Sequence, residues 1–182
     1  MPRDWLVADD RSDLARARLV EVATALIRQH GVDRFDIHEL ARRAHCSRAT
    51  VYRHVGGKNA IIEAVLTESS AHVTTVVAER TAGLQGRDRA AVAIREALRE
   101  IRGDPVTRQL LTSRRLQSAV PAAVASPTIA ATAIALIGLA PGDVAQAHWA
   151  VRAFLALAVW PMTPDDEAVA VRALVEGLAI DG

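Results

Sequence analysis

Cysteine, aromatic residues and long apolar runs are scarce in this chain of 182 residues. Its single cysteine excludes an intramolecular disulfide and a zinc site built from several cysteines. Aromatic residues make up 3% of the sequence, which disfavours a broad stacking surface for single-stranded nucleic acid. The longest apolar run, residues 153–162, is too short to cross a membrane, and no secretory signal is visible at the N-terminus. We therefore expect a cytoplasmic protein without a membrane partner.

A strong excess of basic charge is also lacking, because 22 Lys and Arg face 21 Asp and Glu. The charge is nevertheless uneven: residues 1–58 carry eleven basic and eight acidic side chains, whereas residues 59–182 carry eleven and thirteen. Residues 40–58 contain five basic side chains and no acid, and Lys58 is the only lysine of the chain. Such a block is typical of a phosphate-binding surface, but it is equally consistent with a solvated helical face.

Helical periodicity runs through almost the whole sequence, and no alternating strand pattern competes with it. We predict an all-α fold of about nine helices, three in an N-terminal module and about six in a following bundle. The predicted ranges are 13–30, 36–44, 47–55, 58–82, 87–102, 105–120, 126–139, 143–159 and 164–180. The module spans residues 1–57 and the bundle residues 58–182.

Capping residues place the starts of the first three helices. Ser12 or Asp13 can cap the first helix, and Ser47 is a good N-cap for the third. At the second helix, Asp36 can accept a bond from a first-turn amide while Glu39 reaches back, as in a capping box. Two short helices joined by a tight turn therefore cover residues 36–55, which is the geometry of a helix-turn-helix.

The second helix of this pair has one apolar side and one open side. Val51 and Val55 fall on the inner side of a helical wheel. The opposite side carries Ala49, Thr50, Arg53 and His54. In a helix-turn-helix this side enters the DNA major groove, whereas in an unrelated bundle the two helices are ordinary core elements.

The residue types on the open side suit DNA. Arg48 can grip guanine O6 and N7 with two hydrogen bonds, and the small Ala49 lets the backbone approach the bases. Arg53 on the same side is a third candidate for base contacts. Candidates for phosphate contacts are Ser47 at the helix start, Thr50, Tyr52 and Lys58.

Three segments together make the sequence resemble the TetR family of bacterial transcription regulators. They are Ile37–Ala44, Ser47–Val55 and Gly57–Ile61, and the likeness extends over about residues 14–66. The Ser-x-x-Thr-Val-Tyr-x-His-Val pattern followed three residues later by Lys is the most specific part. The resemblance implies base contacts by Arg48 and Ala49, a capping role for Ser47, and phosphate contacts by Thr50, Tyr52, His54 and Lys58.

The sequence departs from the family pattern in the turn. His45 stands where the family usually has Gly, at a position that needs a positive φ, which His tolerates better than most residues. Cys46 replaces a usual Val, and it is interpreted as a small core residue or as a redox switch. His38, His45 and Cys46 do not predict a metal site, because only the last two are adjacent and no third ligand follows at sound spacing.

The C-terminal part carries no readable motif, and the resemblance implies a ligand-binding bundle that dimerises through its last two helices. Two apolar stripes agree with a dimer, and the alternative is that both face an ordinary monomer core. The predicted interface residues are Val144, Val151, Phe154, Leu155, Val171, Val175 and Leu178. The predicted pocket residues are His72, Leu111, Trp149 and Trp160, and the low aromatic and acidic content favours an apolar ligand.

We therefore predict a homodimeric, ligand-responsive repressor that a small apolar effector releases from a palindromic double-stranded DNA operator. Two alternatives stay open: a constitutive DNA-binding regulator without an effector, and an all-helical adaptor that no longer binds DNA. No triad, carboxylate pair or nucleotide motif supports catalysis, so we expect no enzyme, no cofactor and no metal.

Overall fold

The computed structural model describes residues 5–113 and 116–180, and the side chains of all of these except 5–11, 116–119 and 122. The described residues form ten helices and no strand, which confirms the predicted all-α class. The helices are α1 (Trp5–His30), α2 (Ile37–Arg43), α3 (Arg48–His54), α4 (Lys58–Arg80), α5 (Gly86–Gly103), α6 (Pro105–Leu111), α7 (Leu116–Ala125), α8 (Pro127–Ile137), α9 (Val144–Val159) and α10 (Pro164–Glu176). None of the helices in the described ranges is both long and apolar enough to span a membrane.

The largest differences from the predicted helix ranges lie in α1 and in residues 105–120. Helix α1 begins at Trp5 instead of residue 13, so Ser12 lies inside the helix and does not cap it. The segment predicted as one helix over residues 105–120 is divided into α6 and α7. At the end of α6 the Thr112 and Ser113 hydroxyls donate to the Arg108 and Leu110 carbonyls, which also accept from the amides of the same two residues.

The first of two compact units contains α1–α3 and the beginning of α4. Its core includes Ile27 of α1, Leu40 of α2, Val51 of α3 and Ile61 of α4, all fully buried. The unit ends at Ser69, twelve residues beyond the boundary predicted from the sequence. The boundary lies within α4 because the first turns of that helix contribute apolar side chains to this core.

The second unit begins at Ser70 and is built around α5, α8, α9 and α10, which pack against one another. Two arginines of α5 tie its helices together. Arg89 donates to the Leu136 carbonyl at the end of α8, with 3.2 Å between Nε and O. Arg102 forms an ion pair with Glu167 of α10 and donates to the Leu157 carbonyl of α9. The bonds to Leu136 and Leu157 satisfy carbonyls in the last turns of α8 and α9.

The turn between α2 and α3 has the backbone that the sequence predicted. His45 has a φ of 51°, in the left-handed region, and it is the one non-glycine residue with a positive φ among the described residues. Its amide donates to the Arg42 carbonyl, and the Cys46 amide donates to the Ala41 carbonyl. Both bonds close the end of α2, so the strained residue sets the direction in which α3 leaves the turn.

Replacing His45 with Gly is expected to stabilise the protein by about 0.5–1 kcal/mol, because glycine adopts this backbone without a Cβ clash. Chemical denaturation measures the change as a higher midpoint at an unchanged slope. His45→Ala is the matched control, because it removes the imidazole but keeps the strain, and it should bring no gain. Equal stabilisation by both substitutions would show that the His45 imidazole, and not the left-handed backbone, destabilises the folded protein.

Candidate nucleic-acid interface

Side-chain caps fix the starts of α2 and α3. Asp36 Oδ1 accepts from the His38 amide at 3.0 Å, and Ser47 Oγ accepts from the Thr50 amide at 3.1 Å. Both predicted caps are therefore confirmed. The prediction that Glu39 reaches back to complete a capping box is wrong, because its carboxylate is bound to two arginines one turn further along α2.

Helix α3 buries one side and opens the other, as its sequence predicted. Val51 and Val55 are buried, whereas Tyr52 keeps 56% of its surface exposed. The predicted contact residues of the helix and its cap are all exposed or half-buried, and these are Ser47, Arg48, Ala49, Thr50, Tyr52, Arg53 and His54. Lys58 follows at the start of α4 and is half-buried. The outer side of α3 is thus free of the unit's own core and open to a large partner.

Glu39 binds two of the five basic side chains of residues 40–58. Its oxygens accept from Arg42 Nε at 2.8 Å, Arg42 Nη2 at 2.6 Å and Arg43 Nε at 2.8 Å. The bonds from Arg42 and then Arg43 lower the pKa of Glu39 to about 2. A carboxylate with so low a pKa stays ionised until the pH falls to that region, so the cluster persists at neutral pH. Glu39 therefore offsets part of the basic surface that the sequence placed here.

Replacing Glu39 with Gln is expected to release Arg42 and Arg43 for phosphates. Binding to a random-sequence duplex should tighten, and the slope of log K against log salt should steepen by about one to two per subunit. Fluorescence anisotropy across a salt series measures both changes. The matched control is Glu63→Gln on α4, which alters the net charge equally at an exposed residue. The same steepening in both variants would assign the effect to net charge alone.

The arginines of α3 are held by histidines and keep their full charge. Arg48 Nη1 lies 3.0 Å from His38 Nε2, and Arg53 Nη2 lies 3.3 Å from His54 Nε2. A guanidinium only donates, so both Nε2 atoms accept and both neutral rings carry the proton on Nδ1. His54 Nδ1 then donates to Ser12 Oγ at 3.3 Å, which ties α3 to α1.

Lys58 is held by a backbone oxygen. Its Nζ donates to the Asp33 carbonyl at 3.3 Å, in the segment between α1 and α2. Tyr52 lies close by, since a Cβ built on Gly57 would be 3.8 Å from its Cε1 atom. A carbonyl does not neutralise an ammonium group, so Lys58 adds a third full positive charge to those of Arg48 and Arg53.

The four residues predicted to line a pocket in the second unit do not share one environment. His72 is exposed on α4, and the two tryptophans keep 50% (Trp149) and 68% (Trp160) of their surface exposed. Leu111 packs against the core of the unit. The pocket stays a prediction: His72 and the two tryptophans are largely exposed, whereas Leu111 packs on the core.

The predicted dimer stripes face the chain's own core over most of their length. Val151, Val171, Val175 and Leu178 are buried among the residues of the second unit, and Phe154 packs against the same core. Leu155 is half-buried and Val144 is exposed. The prediction that these four buried side chains form the interface is wrong. They belong to the core and leave no accessible surface for a partner subunit.

A different apolar surface of α9 and α10 is exposed. Val169, Ala173 and Gly177 follow one another at four-residue spacing and are all exposed. Trp149 of α9 lies beside the end of this row, since a Cβ built on Gly177 would be 4.0 Å from its Nε1 atom. We call these four residues the α9–α10 outer face. The low polarity and small size of the row allow another helix to approach closely.

Two side-chain contacts of the first unit are not among those predicted from the sequence. The pairing of Glu39 with Arg42 and Arg43 has a visible signal, because residues three and four apart on a helix are neighbours. The contact between His38 and Arg48 joins residues ten positions apart, and only the orientation of α2 against α3 brings them together.

Relatives of known class match the chain over most of its length. The family described as bacterial regulatory proteins, tetR family, matches residues 19–65, which include the whole helix-turn-helix. An uncharacterized HTH-type transcriptional regulator of Mycobacterium tuberculosis is 30% identical over 164 residues, 87% of this chain and 81% of that relative. A similar regulator of Mycobacterium bovis is 33% identical over 109 residues, 59% of this chain and 54% of that relative.

Solved structures share the fold at low sequence identity. RolR in complex with its ligand resorcinol has a TM-score of 0.71 at 17% identity, with 95% of this chain and 91% of RolR covered. The Rhodococcus erythropolis transcriptional repressor QsdR, of the TetR family, has a TM-score of 0.59 at 18% identity, with 93% and 98% covered. The likeness extends over both units.

Proposed function

Because the chain belongs to the TetR family of bacterial regulatory proteins, it is a DNA-binding transcriptional regulator, and we propose that it is a homodimeric repressor of a palindromic operator. Its relatives are transcriptional regulators and not enzymes. The observation that carries the proposal is the open side of α3. It exposes small side chains and hydrogen-bond donors, while Val51 is buried on the opposite side of the helix. Because its partner is genomic DNA, we place the protein in the cytoplasm.

In the proposed complex, α3 enters the major groove with its N-terminal end toward the bases. Arg48 and Arg53 keep full charges that suit guanine, and Ala49 leaves room for the helix backbone to approach. Phosphates on the flanks bind the remaining candidates Ser47, Thr50, Tyr52 and Lys58. His54 joins them when its Nδ1–H turns from Ser12 Oγ to a phosphate oxygen. These contacts fix the register of the helix, while the base contacts supply sequence preference.

Replacing Lys58 with Ala is expected to weaken binding to every duplex by a similar factor, because a phosphate contact carries no sequence information. The slope of log K against log salt should flatten by about one for each subunit. Lys58→Arg, which keeps the charge, is the control and should retain the slope. Unchanged affinity and slope in Lys58→Ala would place Lys58 away from the DNA and contradict this docking.

A second copy of the chain occupies the α9–α10 outer face in the proposed dimer. The face combines an exposed Trp149 with the small residues of α10, and two such faces related by a two-fold axis are self-complementary. The dimer presents two α3 helices to successive major grooves, about 34–36 Å apart or a multiple of that distance. A palindromic operator follows from this symmetry.

The proposed effector is a small apolar molecule bound in the second unit. RolR, whose fold is similar, holds resorcinol, so this architecture accommodates a molecule of that size. Operator affinity measured with and without a panel of small apolar compounds, and separately with the more polar resorcinol, tests the proposal. An effector should weaken binding by at least about fivefold, the lower end of ordinary allosteric coupling. Affinity that no compound changes would favour the constitutive regulator.

A further inference from the structure

The contact between His38 and Arg48 links the two helices of the helix-turn-helix through side chains. His38 lies in the first turn of α2, where its amide is bound by the cap Asp36, and Arg48 is the first residue of α3. The distance from Arg48 Nη1 to His38 Nε2 is 3.0 Å, and both side chains are exposed. The contact therefore lies on the surface that the proposed function turns toward DNA.

The chemistry of this hydrogen bond leaves Arg48 ready to read a base. A guanidinium has five N–H donors, and the bond to His38 uses one on Nη1. No described residue binds the side-on pair formed by Nε and Nη2. Two parallel donors of this kind match the O6 and N7 acceptors of guanine.

The neighbouring acid does not compete for Arg48. Glu39 follows His38 in the sequence, but its two oxygens are bound by Arg42 and Arg43. A neutral imidazole acceptor orients the guanidinium without cancelling its charge, whereas an ion pair would weaken its attraction to DNA. His38 can thus orient the Arg48 guanidinium while Arg48 keeps its positive charge.

We propose that His38 is a positioning residue that holds Arg48 in the orientation required for base contact, and so sharpens base preference at one base pair in each half-site. The inference rests on the proposed function, since it assigns a role within the same interface. A long side chain that is already ordered in the free protein loses less conformational freedom on binding, so it binds more tightly and tolerates fewer alternative bases.

Two substitutions with side chains of equal length test this role. His38→Gln keeps an acceptor near the position of Nε2, whereas His38→Met removes all but a weak acceptor. The probe is a duplex that the unsubstituted protein selects from a random library, together with its single base-pair variants. His38→Met should weaken binding by about 2- to 10-fold for each half-site, the cost of ordering one long side chain. It should also flatten discrimination at the base pair read by Arg48, and His38→Gln should restore both.

A double-mutant cycle with Arg48→Ala separates positioning from direct contact with DNA. If His38 acts through Arg48, His38→Met has no further effect once Arg48 is Ala. An equal loss on both backgrounds, or an equal loss at every operator position, would overturn the proposal, because His38 would then contact DNA itself. Failure of His38→Gln to restore binding would overturn it as well. Thermal melting of all variants checks that each is folded.

The hydrogen bond is also testable without DNA. Nitrogen chemical shifts of the imidazole in the free protein should show His38 protonated on Nδ1 and unprotonated on Nε2, and an Nε2–H tautomer would overturn the proposal. A chain that shows no sequence-specific duplex binding at all would overturn the proposed function and this role together. If the chain binds a specific duplex and His38→Met has the same affinity and base discrimination as the unsubstituted chain, only the role of His38 would be overturned.

Discussion

Replacing Arg48 with Ala should lower operator affinity by about 30-fold or more, because a bidentate contact with guanine contributes about 1–3 kcal/mol in each of two half-sites. The loss should be concentrated at one base pair per half-site. Binding constants for operators substituted at each position measure it, since the variant should no longer discriminate at that pair. Affinity for random-sequence duplex should fall far less.

The control for this experiment is Arg18→Ala, which removes the same charge from an exposed side chain of α1. Arg18 is paired with Glu21 and lies outside the helix-turn-helix, so operator discrimination should be unchanged at every position. A uniform loss in Arg48→Ala across all operator positions would assign Arg48 to the phosphate backbone and leave base reading to other residues.

Replacing Ala173 with Glu should dissociate the dimer and lower operator affinity by about 100-fold or more, because linked half-site binding is lost. Ala173 lies in the centre of the exposed row of the α9–α10 outer face, so the new carboxylate is solvated in a monomer but buried without a partner in a dimer. Sedimentation should report a monomer for the variant at concentrations at which the unsubstituted chain is a dimer.

Ala71→Glu serves as the control, because it introduces the same charge at an exposed position of α4. It should leave both the molecular mass in solution and the operator affinity unchanged. A dimeric Ala173→Glu variant that still binds the operator tightly would show that the subunits associate through another surface.

The first unit was predictable to a large extent because its signals are local. The Asp36 and Ser47 caps, the buried Val51 edge and the left-handed backbone of His45 each depend on residues within a few positions of one another. Short-range patterns of this kind are set by helix geometry, so they do not depend on how distant parts of the chain pack. The exposed set on α3 follows from the same periodicity.

The second unit was less predictable because its signals depend on which helices meet. An apolar stripe shows that a helix has a buried side, but not whether the chain itself or a partner covers it. The apolar pattern predicts Val171 and Val175 at a subunit interface, but both lie in the core, and the tryptophans predicted to line a pocket are largely exposed. Likewise, the contact of His38 with Arg48 depends on the angle between α2 and α3, which no pattern within either helix specifies.

The central claim is that α3 reads a DNA sequence as part of a two-fold symmetric dimer. Selection of duplexes from a random library by the purified chain, followed by sequencing, tests this most directly. We expect a single enriched palindrome, whose enrichment disappears when the same selection is run with Arg48→Ala. Recovered duplexes that share no motif, or a motif that the Arg48→Ala variant enriches equally, would contradict it.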